Sequence, residues 1–213
     1  MREVNSDSNT HKEKRMNKQF CMSVGLILLA GAQLAVGGNI VGKVKAQGVK
    51  NSADAVVYIE KIGDKSFPAP KEHPVIDQKG LKFSPHVLAI LAGTSVDFLN
   101  SDDVLHNVFS PDACADKVNL GTWPKGQKRS FTFKKPGCQA VLLCNVHPEM
   151  EAFVVVCETP FFAVTSVDGS YEIKDVPPGK YTLQIWHEKD KGQPVEVEVP
   201  EKGEAKVNFD IHR

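Results

Sequence analysis

Short runs of apolar residues, separated by turn-forming residues, recur along the chain from residue 40 to its end. In the segment 181–186 (YTLQIW), Tyr181, Leu183 and Ile185 lie on one face of an extended chain, while Thr182 and Gln184 lie on the other. Strands are predicted at 40–44, 55–62, 87–91, 95–99, 130–133, 140–144, 152–157, 171–173, 181–186, 195–199 and 206–211. Glycine and proline pairs between these runs mark turns, and no helical periodicity of useful length follows residue 42. The pattern therefore predicts an all-β protein built from sandwiches or barrels.

The first forty residues follow a different pattern. Five basic residues within positions 1–20 precede an uncharged stretch, 19–42, whose apolar centre is 24–36 (VGLILLAGAQLAV). A basic region, an apolar run and then small residues predict an export signal over residues 1–37, cleaved near Gly37 or Gly38. We therefore expect a periplasmic protein with no membrane span after cleavage. The alternative is an uncleaved N-terminal anchor, since the uncharged stretch approaches the ~20 residues that a bilayer requires.

Overall charge excludes one class of partner. The chain has 213 residues, of which 26 are basic and 26 are acidic, so its formal net charge is zero. A nucleic-acid-binding protein would carry an excess of basic residues, so we expect no nucleic-acid partner. The length permits one large domain or two small ones.

The chemistry-bearing residues concentrate in the stretch from Cys144 to Met150 (CNVHPEM), between two predicted strands. It holds a thiol, an imidazole and a thioether. Soft sulfur ligands combined with imidazole select copper, and two histidines with one cysteine and a weak axial methionine form the blue-copper arrangement. Such a site needs a second histidine from another strand end. His106 meets this requirement, because it ends a polar loop that follows the predicted strand 95–99.

Other interpretations of these residues fit the spacing less well. A cysteine nucleophile would need a base or oxyanion motif that does not accompany Cys144. A dinuclear copper site needs two cysteines separated by three residues, whereas five residues separate Cys138 from Cys144. His86, at the start of a predicted strand, is expected at the surface or behind the ligands. The remaining histidines of the exported chain are expected to be solvated: His73, His187 and His212.

Two motifs carry a resemblance to a known family. The stretch His106-Asn107-Val108 and the Cys-x₂-His-x₂-Met pattern from Cys144 to Met150 resemble the ligand motifs of cupredoxins, of the plastocyanin and amicyanin branch. The chain is also similar to cupredoxins of the methylamine-utilization type. The resemblance covers about 75–157 and implies a Greek-key β-sandwich holding one copper ion. It implies His106, Cys144 and His147 as equatorial ligands, Met150 as the axial ligand, and a side chain of Asn107 that ties the two ligand loops together.

The same resemblance implies a function. We expect a blue-copper protein that carries single electrons between redox partners and is not an enzyme. Amicyanin suggests an amine dehydrogenase as donor, whereas the acidic residues Asp102, Asp103, Glu149 and Glu151 near the ligands suggest a basic partner such as a c-type cytochrome. The alternative is a structural or assembly-associated copper protein without electron-carrier turnover. A nitrite reductase would need a second copper bound by further histidines.

Three cysteines of the exported chain remain once Cys144 is assigned to copper. Exported proteins tend to pair such residues as disulfides. We favour the pair Cys114–Cys138, because it would pin the long loop predicted over 111–126. Cys157 is the alternative partner, and spacing alone does not settle the pairing.

The C-terminal segment has a separate resemblance. Residues 162–183 are similar to carboxypeptidase regulatory-like (transthyretin-like) β-sandwich domains. The opening strands of that fold are missing nearby but present upstream, at 42–44 and 55–59. We therefore predict a discontinuous sandwich made of 39–70 and 160–213, with a cupredoxin domain, 72–159, inserted between its strands. The alternative is that 39–70 adds strands to the cupredoxin.

Overall fold

The computed structural model describes residues 37–213. The predicted export signal lies outside these residues, except for Gly37. Within this range no helix has the length and apolar character needed to cross a bilayer.

Seventeen β-strands make up nearly all the regular structure of the described residues. In chain order they are β1 Gly38–Ala46, β2 Val56–Ile59, β3 Val75–Gln78, β4 Phe83–Ser84, β5 Val87–Leu91, β6 Thr94–Asn100, β7 His106–Phe109, β8 Asn119–Trp123, β9 Lys128–Phe133, β10 Gln139–Leu143, β11 Glu151–Cys157, β12 Phe162–Val164, β13 Ser170–Val176, β14 Gly179–Trp186, β15 Val195–Val199, β16 Glu204–Lys206 and β17 Phe209–Ile211. The predicted all-β class is confirmed.

Strands β3 to β11 form an inner sandwich of two sheets. One sheet has the order β5-β11-β10-β7-β8, and the other has the order β4-β3-β6-β9. Their facing sides enclose an apolar core that includes Phe98, Trp123, Phe133 and Leu142, each at most 2% exposed. This is the two-layer packing that alternating strands produce, with one face of each sheet buried.

Strand alternation in β10 directs a reactive side chain into this core. Ala140 and Leu142 are fully buried, whereas Val141 and Leu143 between them are partly exposed. Because side chains alternate with a period of two, Cys144 continues the inward-facing set and is 2% exposed. The end of β10 thus places a thiol inside the sandwich.

The long loop predicted over 111–126 contains regular structure. A single 3₁₀ turn, Ala113–Ala115, precedes strand β8, which pairs antiparallel with β7 and places Trp123 opposite His106. The sequence NLGTW has little apolar alternation, so its strand depends on pairing with β7 and on the burial of Trp123. The edge strand β8 was missed for this reason.

The remaining strands form an outer sandwich. One sheet has the order β13-β1-β16, with β17 also paired to β1, and the other has the order β12-β2-β14-β15. The strand predicted over 206–211 is divided into β16 and β17, both parallel to β1. A side chain at Gly42 would place its Cβ 1.6 Å from the carbonyl oxygen of Val207, so this close approach requires glycine. Among the described residues, the strands of 38–59 pair only with strands that follow residue 161.

The two sandwiches touch along an apolar seam. It consists of Val56 from the outer sandwich and Val87, Ala89, Val155 and Cys157 from the inner sandwich, each at most 8% exposed. Burial raises the pKa of the Cys157 thiol to about 12, so this cysteine is an uncharged packing residue. The seam joins strand β2 to the face of β5 and β11.

Candidate metal centre

Three potential ligands meet at one end of the inner sandwich. His106 begins β7, Cys144 directly follows β10, and His147 lies in the loop between β10 and β11. Strands β7 and β10 are antiparallel neighbours with Leu143 opposite Phe109, so the chain that follows β10 runs back along β7 towards His106. The ligand atoms of the three side chains all lie within 4.8 Å of one another.

The two histidines approach through the same ring atom. The Nδ1 atoms of His106 and His147 are 3.1 Å apart, and Cys144 Sγ lies 4.0 Å from His106 Nδ1. His106 is fully buried, whereas His147 is partly exposed. Two imidazole nitrogens and a thiol sulfur therefore face one point, which is the arrangement that a bound cation would require.

Asp102 fixes the orientation of His106. Its carboxylate lies 2.9 Å from His106 Nε2 and also accepts hydrogen bonds from the backbone N–H groups of Gly80, at 2.7 Å, and Leu81, at 3.0 Å. The bond from Leu81 is the largest of the effects that lower the pKa of Asp102 to about 2. Because an ionised carboxylate only accepts, Nε2 of His106 carries the proton and Nδ1 keeps its lone pair for the site.

From the sequence, Asp102 is placed among the acidic residues that face a partner, and its contact with His106 is not predicted. A carboxylate four residues before a ligand histidine was the available signal. The turn that completes its contacts comes from β3 and β4, about twenty residues upstream.

Asn107 connects the loops around Cys144. Its backbone N–H points at Cys144 Sγ, 3.4 Å away, and its side-chain oxygen accepts a hydrogen bond from the backbone N–H of Asn145 at 3.2 Å. Its side-chain amide donates to Asn119 and to the carbonyl oxygen of Gly121. The residue thereby links the first-ligand strand, the ligand loop and β8, and its backbone N–H is directed at the sulfur of Cys144.

Met150 closes the ligand loop. Its backbone N–H donates to the carbonyl oxygen of His147 at 3.0 Å, so the loop from Cys144 to Met150 folds back on itself. The Met150 side chain is 1% exposed and belongs to the same apolar core as Cys144. The residue predicted as the axial ligand is thus buried in the same core as the thiol.

The donor set fits copper. A thiol, two imidazoles and a thioether are soft or intermediate ligands, whereas calcium and magnesium require oxygen. The lone pair of His106 is directed inward by Asp102, and the sulfur of Cys144 receives a backbone donor. His106, Cys144, His147 and Met150 would hold the metal.

The other residues singled out in the sequence lie elsewhere. Cys114 and Cys138 form a disulfide bond, which confirms the favoured pairing. His86 lies outside the ligand cluster and contacts the carbonyl oxygen of Glu151. The expectation that His187 is solvated was wrong, because its side chain is 5% exposed and its Nδ1 accepts backbone N–H bonds from Lys189 and Asp190.

The fold and the donor set define a copper-binding β-sandwich protein. Residues 72–157 match the model of the copper-binding proteins of the plastocyanin/azurin family, and this part of the chain is a cupredoxin domain with copper as its metal.

Solved structures of cupredoxin type are similar to this chain. A copper-containing nitrite reductase from Thermus scotoductus SA-01 is 27% identical, with a TM-score of 0.39, over 47% of this chain and 25% of the reductase. The chain therefore spans a quarter of that enzyme. A reduced amicyanin variant is 25% identical, with a TM-score of 0.37, over 47% of this chain and 97% of amicyanin. A purple cupredoxin from Nitrosopumilus maritimus is 26% identical, with a TM-score of 0.35, over 39% of this chain and 98% of its own. No curated protein matches the sequence.

Proposed function

We propose that this protein is a mononuclear blue-copper protein that carries single electrons between redox partners in the periplasm. The observation that carries the proposal is the convergence of the ligand atoms of His106, Cys144 and His147 within 4.8 Å. Copper bound there supplies a one-electron couple between Cu(II) and Cu(I). The export signal predicted over residues 1–37 supports the location.

The surrounding residues suit a carrier, because they hold the ligands in one arrangement. Asp102 fixes the ring of His106, and Asn107 fixes the loop that contains Cys144. The buried positions of His106, Cys144 and Met150 exclude bulk water. Little rearrangement of these side chains is then needed when the charge on the metal changes, which favours rapid transfer.

The surface at this end suits transient docking. Val104 and Leu105 precede His106 and are 44% and 50% exposed, and Val146 precedes His147 and is 43% exposed. Large exposed apolar residues beside a functional group are typical of protein interaction sites. Electrons would enter or leave through the partly exposed His147, which lies nearest to such a partner.

Charge near this surface supports a basic partner. Glu149 and Glu151 are exposed beside the ligand loop, while Asp103 is paired with Lys125 at 2.9 Å. A c-type cytochrome with a basic rim fits this surface, and an amine dehydrogenase is the second candidate donor. Association should slow as the salt concentration rises, because salt screens exposed charges.

A carrier is favoured over an enzyme. Within residues 37–213, a single group of three or more His, Cys, Asp or Glu side chains is placed to hold a metal ion. A nitrite reductase would need a second copper centre with further histidines. The competing function is copper storage or assembly without turnover.

The test uses the copper-loaded protein. We expect an intense Cu–thiolate absorption band in the visible region and a reversible one-electron wave in voltammetry. Cys144→Ser should abolish the band, since serine supplies only a hard oxygen. Met150→Gln should keep the band and lower the reduction potential, because an amide oxygen favours Cu(II). A band that survives in Cys144→Ser contradicts the site, and a redox-silent copper centre favours storage over transfer.

A further inference from the structure

His86 binds the beginning of β11, the strand that directly follows Met150. Its backbone carbonyl oxygen accepts a hydrogen bond from the N–H of Phe153 at 2.8 Å, and its ring Nδ1 lies 3.1 Å from the carbonyl oxygen of Glu151. Because a carbonyl oxygen only accepts, Nδ1 of His86 is the donor. His86 therefore holds the first and third residues after Met150, one through its side chain and the other through its backbone.

The opposite side of the same ring contacts the outer sandwich. His86 Nε2 lies 3.3 Å from the carboxylate of Glu188, whose side chain is 16% exposed. Glu188 lies in the loop that follows β14. Burial opposes its ionisation, but hydrogen bonds from Lys189 and His86 hold the pKa of Glu188 below its ordinary value. The Glu188 carboxylate also only accepts, so both hydrogen bonds of the ring form together when each ring nitrogen carries a hydrogen. A charged acceptor from one sandwich then contacts the ring that holds the ligand strand of the other.

Aromatic packing fixes this contact. The ring of Phe153 lies 5.3 Å from Trp186 of β14 and 5.5 Å from the ring of His86. These rings continue the apolar seam between the sandwiches. Edge-to-face and tilted aromatic pairs at these distances stabilise one relative placement of the rings. The packing of Trp186 against Phe153 therefore fixes the start of the loop that carries Glu188 close to His86.

A cavity places the contact next to the metal centre. It has a volume of about 410 Å³, and its lining includes Met150, His86, Phe83 and Glu188. Met150 is 1% exposed and packs in the inner core, so the cavity lies beside its position in the chain without exposing its side chain. The pair of His86 and Glu188 therefore lies on the wall of the same cavity as the residue that precedes β11.

We propose that His86 and Glu188 are positioning residues through which the outer sandwich holds the axial-ligand end of β11 and so sets the reduction potential of the copper site. The inference rests on the proposed function, since it assumes copper at His106, Cys144, His147 and Met150. It gives the outer sandwich a role in electron transfer. Loss of the link would loosen the strand end that follows Met150, so its thioether would hold the metal less firmly. Cu(II) depends on the fourth donor more than Cu(I) does, so the potential rises.

The test compares full-length, copper-loaded variants. Glu188→Ala removes the link, and Glu196→Ala is the matched control, since Glu196 is an exposed acid of the outer sandwich bonded to Thr182 at 2.6 Å. We expect Glu188→Ala to change the ratio of Cu(I) to Cu(II) affinity about threefold, which raises the potential by about 30 mV at 59 mV per tenfold change. Glu196→Ala should leave the potential unchanged. Electron paramagnetic resonance should show the altered axial ligand in the first variant only.

A second variant separates the two contacts of the ring. His86→Asn keeps a donor for the carbonyl oxygen of Glu151 but is too short to reach Glu188. It should therefore behave as Glu188→Ala does, and the double variant should show no further change, because both substitutions break one link. Equal potentials in wild type, Glu188→Ala and His86→Asn would overturn the link. If wild type itself shows no Cu–thiolate band, the proposed function fails instead.

Discussion

Replacing Asp102 with alanine removes a carboxylate that joins two parts of the inner sandwich. The side chain accepts hydrogen bonds from Gly80 and Leu81 at 2.7 and 3.0 Å and lies 2.9 Å from Nε2 of His106. Gly80 and Leu81 have φ values of 63° and 58°, so the turn between β3 and β4 is left-handed at both positions. This conformation is unfavourable for leucine and needs support from its surroundings. Asp102 therefore stabilises both the turn and the ligand.

The expected cost follows from the burial of each partner. His106 is fully buried, so its Nε2–H would lose a charged acceptor, at about 1.5–3 kcal/mol. The backbone N–H groups of Gly80 and Leu81 can donate to water instead, so the loss of each hydrogen bond costs about 0.5–1 kcal/mol. Asp102→Ala should thus lower the free energy of unfolding of the metal-free protein by about 2.5–5 kcal/mol. Copper affinity should fall roughly 10- to 100-fold, as is typical when the partner of a ligand histidine is removed.

Urea unfolding of the metal-free protein measures the first quantity, and competition with a copper chelator measures the second. Asp103→Ala is the control, since the neighbouring Asp103 side chain is 88% exposed and pairs only with the exposed Lys125. This control should change the unfolding free energy by less than about 0.5 kcal/mol. If the two variants are equally stable and bind copper equally well, Asp102 does not hold His106.

Three further predictions follow from other contacts. Hydrogen bonds from Lys128 and Ser130 lower the pKa of Asp97 to about 2, from 3.8. Ionised Asp97 stabilises the folded protein fully above the pKa of the unfolded chain, and this stabilisation is lost as the pH falls through the lower pKa of the folded state. Between about pH 5 and pH 2, the free energy of unfolding of wild type should therefore fall by up to about 2 kcal/mol more than that of Asp97→Asn. Equal acid sensitivity of the two proteins would contradict this. Replacing Cys114 and Cys138 with serine should cost about 3 kcal/mol in urea unfolding, because the disulfide closes a loop with a sequence separation of 24; unchanged stability would refute the estimate. A fragment of residues 72–159 should bind copper, whereas a protein that lacks 39–70 should lose the folded structure of 160–213, as measured by circular dichroism. If 160–213 folds alone and the excised 72–159 does not bind copper, the discontinuous domain is ruled out.

The convergence of His106, Cys144 and His147 could be predicted because its sequence signal is local. Cys144, His147 and Met150 lie within one short loop, and the position of His106 follows from the strand before it. Cys138 lies six residues before Cys144, an even separation that places both on one face of an extended chain, and both are buried. Residue type and spacing are enough to predict a site whose side chains come from one short loop and one neighbouring strand.

The supporting contacts were not predictable because they join distant segments. Asp102 depends on a turn about twenty residues upstream, and His86 meets Glu188 across a separation of 102 residues. Strand β8 lacks clear alternation and forms by pairing with β7. Contacts between distant segments and the pairing of edge strands depend on tertiary packing, which the periodicity of a single sequence does not predict.

The position of strand β1 at the start of the chain affects the order in which the two sandwiches fold. Its partners β13, β16 and β17 all follow the inner sandwich in the chain, and its register pairs Val44 with Phe209. The inner sandwich finds every strand partner within residues 75–157, so its loops close sooner at lower entropic cost. A chain that folds from its N-terminus leaves β1 unpaired until the last strands arrive. We therefore expect the metal-binding sandwich to close first and the outer sandwich to cover β5 and β11 in a later and slower step, which pulse-labelled hydrogen exchange would resolve.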